Sequence, residues 1–195
     1  MNRVSLPKSY RQVAVMDFVR NRKQLLTVNI AALAVMAIML VAGLILHPFR
    51  PSWEFLKANW WAWLALAGMY IAYIPLHELT HGLLMHVLSG VRPKFGFKLC
   101  YAYAGSRVFF DKHSHNLIAL APLIVWGTAL FVLERTLPTG WFWLLYLVQI
   151  SNVSGSAGDV YCVLALERQP KDILIQDTGT RMRVFAPRPD DEEAK

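Results

Sequence analysis

Charge is scarce in this chain, and acid is scarcer than base. Of 195 residues 17% are charged, with thirteen Asp and Glu against twenty Lys and Arg. A soluble domain carries about 25% charged residues, so this composition excludes a disordered chain, a nucleic-acid-binding arm and most soluble enzymes. Cysteine is nearly missing. Cys100 and Cys162 stand too far apart for a metal or redox motif and are expected to be free thiols. No internal repeat or low-complexity tract is present, which excludes solenoids and linker-like segments. What the chain has in abundance is apolar residues, 55% of the total, with a mean hydropathy of +0.35.

That apolar content is concentrated. Leu25–Leu46 and Ala58–Leu76 carry no charge, the latter resuming its apolar character through Leu88 after a polar insert. Asn116–Leu133 and Thr136–Gly158, continuing to Leu166, complete the set. Crossing a ~30 Å hydrocarbon core takes about 20 mostly apolar residues at ~1.5 Å each. The pattern therefore predicts an all-α integral membrane protein, one domain over residues 1–195. Its four transmembrane helices are expected at about 25–46, 58–88, 116–134 and 141–167.

The cations orient these spans. Seventeen of the twenty lie before the first span, between the second and third, or after the fourth, leaving Arg50, Lys57 and Arg135 for the other two connections. The positive-inside rule then predicts a multi-pass cell-membrane protein with both termini cytoplasmic. The basic balance is thus a topology signal, the lipid bilayer is the expected partner, and nucleic acid is excluded. The first apolar run starts late and is followed by His47-Pro48-Phe49-Arg50, so no cleavable signal peptide is expected.

Between the second and third spans, β-prone runs on either side of Ala104-Gly105-Ser106 predict a short hairpin on the cytoplasmic face. Asp172–Phe185 is expected to add a strand or turn. Asp190-Asp191-Glu192-Glu193 reads as a solvated tail.

The polar insert of the second span reads His77-Glu78-Leu79-Thr80-His81. On a helix, residues i and i+4 share a face, so His77 and His81 can offer imidazole nitrogens to one metal ion. Glu78 can then reach a water at that ion as general base, which is the zinc-peptidase H-E-x-x-H pattern. A hydrogen-bonded histidine pair holding helices together is the bland alternative. A third protein ligand is needed. Position 87, where one extended motif places it, is Val87, and His86 faces away from the pair. Besides Glu78, Asp159 is the only carboxylate within a predicted span and not at its very end, where Glu134 and Glu167 stand. Asp159 sits roughly 14 Å from the cytoplasmic end, against roughly 20 and 14 Å for His77 and His81. A protonated acid or a helix cap remains open for Asp159.

His77-Glu78-Leu79-Thr80-His81-Gly82, followed by a later helix with Asn152 and Asp159, resembles the site-2-protease type of intramembrane zinc metalloprotease. It resembles more closely the putative zincin peptidase family of small bacterial membrane proteins, which shares the short four-span layout and Ala121-Pro122-Leu123. The resemblance implies Zn2+ on His77, His81 and Asp159, and Asn152 as a contact to the substrate backbone or oxyanion. The chain departs from the site-2 pattern in having Gly155 in place of a proline and Ala157-Gly158-Asp159-Val160 in place of Leu-Asp-Gly.

The function expected is hydrolysis of peptide bonds in a membrane or membrane-proximal protein, with Glu78 moving the proton. The alternative is a non-catalytic zinc-binding scaffold or client-binding protein. In that reading His113 or His115 closes the site as fourth ligand, although solvated histidines are the plainer expectation for both. A metal transporter fits less well, since spans one and three carry no ionisable residue between their ends.

Overall fold

The computed structural model describes residues 2–18, 20–98 and 101–188. Cys100 and the acidic segment Asp190–Glu193 lie outside the described residues. In chain order the elements are β1 (Tyr10–Met16), α1 (Arg22–Leu46), α2 (Arg50–Ala58), α3 (Trp61–Ser89), β2 (Lys94–Lys98), β3 (Tyr101–Gly105) and β4 (Phe110–Asp111). They continue with α4 (Lys112–Thr136), a single 3-10 turn at Thr139–Trp141, α5 (Phe142–Gly155), α6 (Ala157–Glu167), β5 (Leu174–Asp177) and β6 (Met182–Pro187).

This overturns the all-α, four-span expectation. Six strands form two sheets, a four-stranded one in the order β1-β6-β5-β4 and the pair β2-β3. Among the described residues only α1 and α4 are long and apolar enough to cross a membrane by length and composition. The predicted fourth span is two helices. α5 ends at Gly155, where Ser156 turns both its N–H (3.2 Å) and its hydroxyl (2.8 Å) onto the Asn152 carbonyl, and α6 begins at Ala157. At 14 and 11 residues they reach roughly 21 and 17 Å, each short of a ~30 Å core. α3 matches the predicted second span in position, but His77, Glu78, Thr80, His81 and His86 dilute the apolar character of its second half.

The hairpin exists with a different turn. β2 pairs antiparallel with β3, Phe95 opposite Ala104 and Lys98 opposite Tyr101, so Ala104–Ser106 is not the turn of the hairpin. The C-terminal expectation resolves into β5 and β6, with Ile175 opposite Val184. Between them Gly179 adopts φ +79°, which a side chain would strain. Its N–H donates to Asp177 Oδ1 at 2.7 Å, and the Thr178 hydroxyl donates to the Arg181 carbonyl at 2.9 Å.

The chain divides into two compact units. One comprises Met1–Thr27, Glu78–Ala121 and Gly158–Lys195, the other Val28–His77 and Pro122–Ala157. The first holds both sheets. Alternation along β6 turns Met182 and Val184 inward, where they meet Met16, Ile173, Ile175, and Cys162 and Leu166 of α6. Cys162 is a buried free thiol, as expected. A second cluster joins Met85, Val108, Phe110 and Ile118. Arg181 clasps Asp17 through Nε and Nη2, both at 3.0 Å, a two-pronged ion pair at the start of β6.

The second unit packs Leu56, Ala62 and Leu144 in one cluster and Leu130, Leu145 and Val148 in another. α1 meets it at buried Gly43, where the Trp143 and Tyr146 rings take the space of a side chain, and Tyr146 donates to the Met39 carbonyl at 2.7 Å. Otherwise α1 exposes its apolar residues, Leu26, Ile30, Leu33, Ile38 and Ile45 among them.

The hairpin of the first unit is seated by glycines. Gly82 lies under the Phe95 ring, and a Cβ on Gly105 would enter the Thr178 backbone. Backbone cannot step aside as a side chain can. Gly105→Ala is therefore expected to lower stability by about 1–3 kcal/mol. Gly155, which faces open space, should gain about 0.4–1 kcal/mol as alanine. Thermal unfolding of the two variants in detergent checks both signs, and an unchanged midpoint for Gly105→Ala would contradict the close approach.

Candidate metal centre and active site

α3 carries His77, Glu78 and His81 in its second half. The boundary between the two units runs through this uninterrupted helix, so the helix itself sets His77 beside His81, one turn apart. Asp159 stands in the first turn of α6, where the partial positive charge of a helix start favours a carboxylate. The coordinating atoms of His77, His81 and Asp159 all lie within 4.8 Å of one another. His81 Nε2 is 3.6 Å from Asp159 Oδ1, close to the ~3.4 Å that separates two ligands of a tetrahedral zinc at ~2.1 Å each. The residues present therefore fit a zinc ion with two imidazoles and one carboxylate.

The outer atoms of both histidines strengthen the fit. His81 is buried, and its Nδ1 lies 2.8 Å from the Ile118 carbonyl. A carbonyl only accepts, so Nδ1 carries the proton and Nε2 presents the lone pair. His77 reaches the same state by a longer route. Tyr73, four residues earlier on α3, donates its hydroxyl proton to Asn152 Oδ1 at 2.9 Å, leaving the Tyr73 oxygen to accept from His77 Nδ1, also at 2.9 Å. Such anchoring of the second nitrogen is the general rule for metal-ligating histidine.

Asn152 is fully buried. Besides accepting from Tyr73, it donates Nδ2 to the Leu123 carbonyl at 3.3 Å. These bonds use both ends of its amide inside the protein. Gly127, 3.3 Å from Nδ2 at the position of a Cβ, leaves room for that amide.

Glu78 lines a cavity of about 120 Å³ in the first unit, together with His81, Asp159, His115, Asp177 and residues of β3. Its Oε2 accepts the Ala104 N–H of β3 at 2.7 Å, so the hairpin orients the carboxylate. His86 is exposed and stands outside the ligand group. The expectation of solvated histidines holds for His113 and fails for His115, which is 3% exposed. Tyr73 and Asp177 were missed as site residues, and His115 was anticipated only as a fourth ligand of the scaffold alternative. For Tyr73 a signal existed, a hydroxyl one helical turn before the first histidine on the same face.

Residues 70–174, more than half of the chain, match the family described as "Putative zincin peptidase". The chain belongs to this family. Membership supports a zinc metallopeptidase, and the matched segment contains all of His77, Glu78, His81, Asn152 and Asp159. Over 125 residues the chain is 30% identical to a Pyrococcus woesei protein named "Uncharacterized 24.7 kDa protein in gap 5'region", covering 62% of this chain and 54% of that relative. The chain thus spans about half the length of the relative. No solved structure matches it.

The anchoring chain can be broken by one atom. Tyr73→Phe removes the hydroxyl that links His77 to Asn152, and apparent zinc affinity is expected to fall about 10–100-fold, measured by competition with a chromogenic chelator. Equal affinity in the two proteins would show that the link does not position His77.

Proposed function

We propose that this zincin-family protein is a membrane-associated metallopeptidase whose zinc is held by His77, His81 and Asp159 and whose general base is Glu78. The observation that carries the reading is the convergence of two Nδ1-anchored histidines and Asp159 beside an oriented glutamate. Zinc supplies Lewis acidity, acidifying water and polarising a peptide carbonyl. Glu78, with Oε2 fixed by Ala104 N–H, takes the proton of the attacking water on Oε1. It returns that proton to the departing amine nitrogen, so the carboxylate ends as it began. Asn152 acts through Tyr73 on His77, as a positioning residue.

The substrate class is a peptide segment of a membrane or membrane-proximal protein. Exposed apolar residues along α1, only 6% of whose most apolar window is buried, support membrane association, since a core helix of a soluble protein would be covered. The family resemblance to site-2 proteases supports cleavage at the bilayer. Seventeen of the twenty cations fall in the segments of the first unit, against three in the second. By the positive-inside rule the first unit and both termini belong on the cytoplasmic side of the cell membrane.

Zinc content and proteolysis of the detergent-purified protein test the assignment together. His77→Ala and Asp159→Ala should lose the metal. Glu78→Gln should keep it and lose about 10²–10⁴-fold in turnover. Full zinc in Asp159→Ala would remove that residue from the ligand set. A zinc-replete wild type that cleaves nothing would sink the peptidase reading in favour of a non-catalytic zinc scaffold.

A further inference from the structure

Two residues of the cavity have no part in the scheme above. His115, the fourth residue of α4, is buried, and its Nδ1 has no hydrogen-bond partner among the described residues. Its Nε2 lies 3.9 Å from Asp177 Oδ2. Asp177 itself is held firmly at the end of β5. Its Oδ1 accepts the Gly179 N–H at 2.7 Å, and its carbonyl accepts the Ser106 N–H at 2.7 Å. The positive φ of Gly179 makes that turn possible, so the turn aims the second carboxylate oxygen at His115. His115 also shares a face of α4 with Ile118, three residues on, whose carbonyl anchors His81. Both residues of the pair line the same cavity as Glu78, His81 and Asp159.

A buried imidazole nitrogen left unpartnered is costly, and native structures keep few such atoms, a catalytic role or a bound water or ion being among the reasons. Metal ligation is not that use here, because among the described residues the ligand group contains His77, His81 and Asp159 only. The charge of the cavity points elsewhere. Its lining holds three carboxylates, Glu78, Asp159 and Asp177, and a zinc dication leaves one negative charge uncompensated. Attack of water on a peptide carbonyl then moves negative charge from Glu78, which takes the proton, to the carbonyl oxygen. The Ala104 N–H is committed to Glu78. Of the cavity's side chains, His115 is the only one able to donate an N–H without being a zinc ligand.

We propose that His115, set beside Asp177, is a further catalytic residue that donates a hydrogen bond to the oxyanion formed on the scissile carbonyl, with Asp177 as its positioning residue. The new C–O bond forms from the water oxygen, the carbonyl π pair moves onto the carbonyl oxygen, and the water proton goes to Glu78. His115 transfers nothing and stabilises that oxygen by hydrogen bonding, the kind of preorganised donor whose removal costs about 10²–10³ in turnover. The inference rests on the peptidase reading and assigns one more residue to the same site.

The test uses the full chain in detergent with two probes. Dimethylphosphinate, a small tetrahedral anion, is titrated against the cobalt-loaded protein by its visible absorption, and labelled casein reports hydrolysis by the zinc-loaded protein. His115→Ala should keep wild-type metal content and bind dimethylphosphinate at least about 10-fold more weakly. On casein it should lose about 100-fold in kcat with KM nearly unchanged. His115→Gln, which restores an N–H donor, should recover part of both losses, and Asp177→Asn should show a smaller loss of the same kind. Unchanged phosphinate affinity in His115→Ala overturns the inference, as does loss of metal from that variant or a glutamine no better than alanine. The phosphinate ratio decides the inference even if wild type leaves casein intact, an outcome that counts against the peptidase reading alone. A chain that takes up no metal overturns both.

Discussion

A metal-ligating imidazole almost always has its other nitrogen committed to a partner, and the candidate centre is organised around that constraint. In His81 the commitment is a backbone carbonyl of α4, an acceptor that cannot change role. In His77 it is a relay from Asn152 through Tyr73, whose direction follows from which atoms can donate. Either arrangement fixes the ring rotation as well as the tautomer, so the two Nε2 lone pairs need little reorganisation to meet an ion. Without these anchors the histidines of an apolar helix would turn to whatever polar atom came nearest, since each uncompensated polar group in such surroundings is expensive. The same pressure explains why Asn152, fully buried, spends both ends of its amide on protein partners.

What could be read from the sequence was what local spacing encodes. His77, Glu78 and His81 lie within five residues of one helix, so helical periodicity alone brings them to one region. Asp159 was reachable by elimination, because the apolar segments contain so few carboxylates. The four-stranded sheet was hidden for the opposite reason. β1 and β6 pair residues as far apart as Tyr10 and Pro187, and each strand lies in a charged flank that hydropathy reads as connection. The division at Ser156 was also misread. The break follows from Ser156 turning its N–H and hydroxyl onto the Asn152 carbonyl, a three-dimensional fact that hydropathy does not encode. His115 looked like a solvated residue at the start of a helix, and only the fold of Val108, Phe110 and Ile118 around Met85 makes that helix start an interior position.

Close backbone approach gives the hairpin its place at the site. A strand can orient Glu78 through a main-chain N–H only if its backbone comes within hydrogen-bond reach of the helix. Residues with no side chain at the crossing points permit that approach. Gly82, directly after the His-Glu pattern, admits Phe95, and Gly105 admits the turn that holds Asp177. The glycine of His-Glu-Leu-Thr-His-Gly thus has a packing reason independent of any motif, and the Asp177-Thr178-Gly179-Thr180 turn has one too. Substitution at either point would act on Glu78 through geometry while leaving every ionisable group intact.

The scarcity of charge acquires a structural meaning from the sheet. Strand pairing joins β1, which precedes α1, to β6, which follows α6, and joins β5 to β4, which precedes α4. The start of α1, the start of α4 and the end of α6 are therefore tied to one sheet by backbone hydrogen bonds, whatever medium surrounds the helices. These are also flanks in which the cations collect. Two constraints of different origin, ladder pairing and charge placement, agree on which chain segments belong together. Neither depends on the number of helices that cross a bilayer, so the agreement survives the loss of the four-span layout from which the charge argument began.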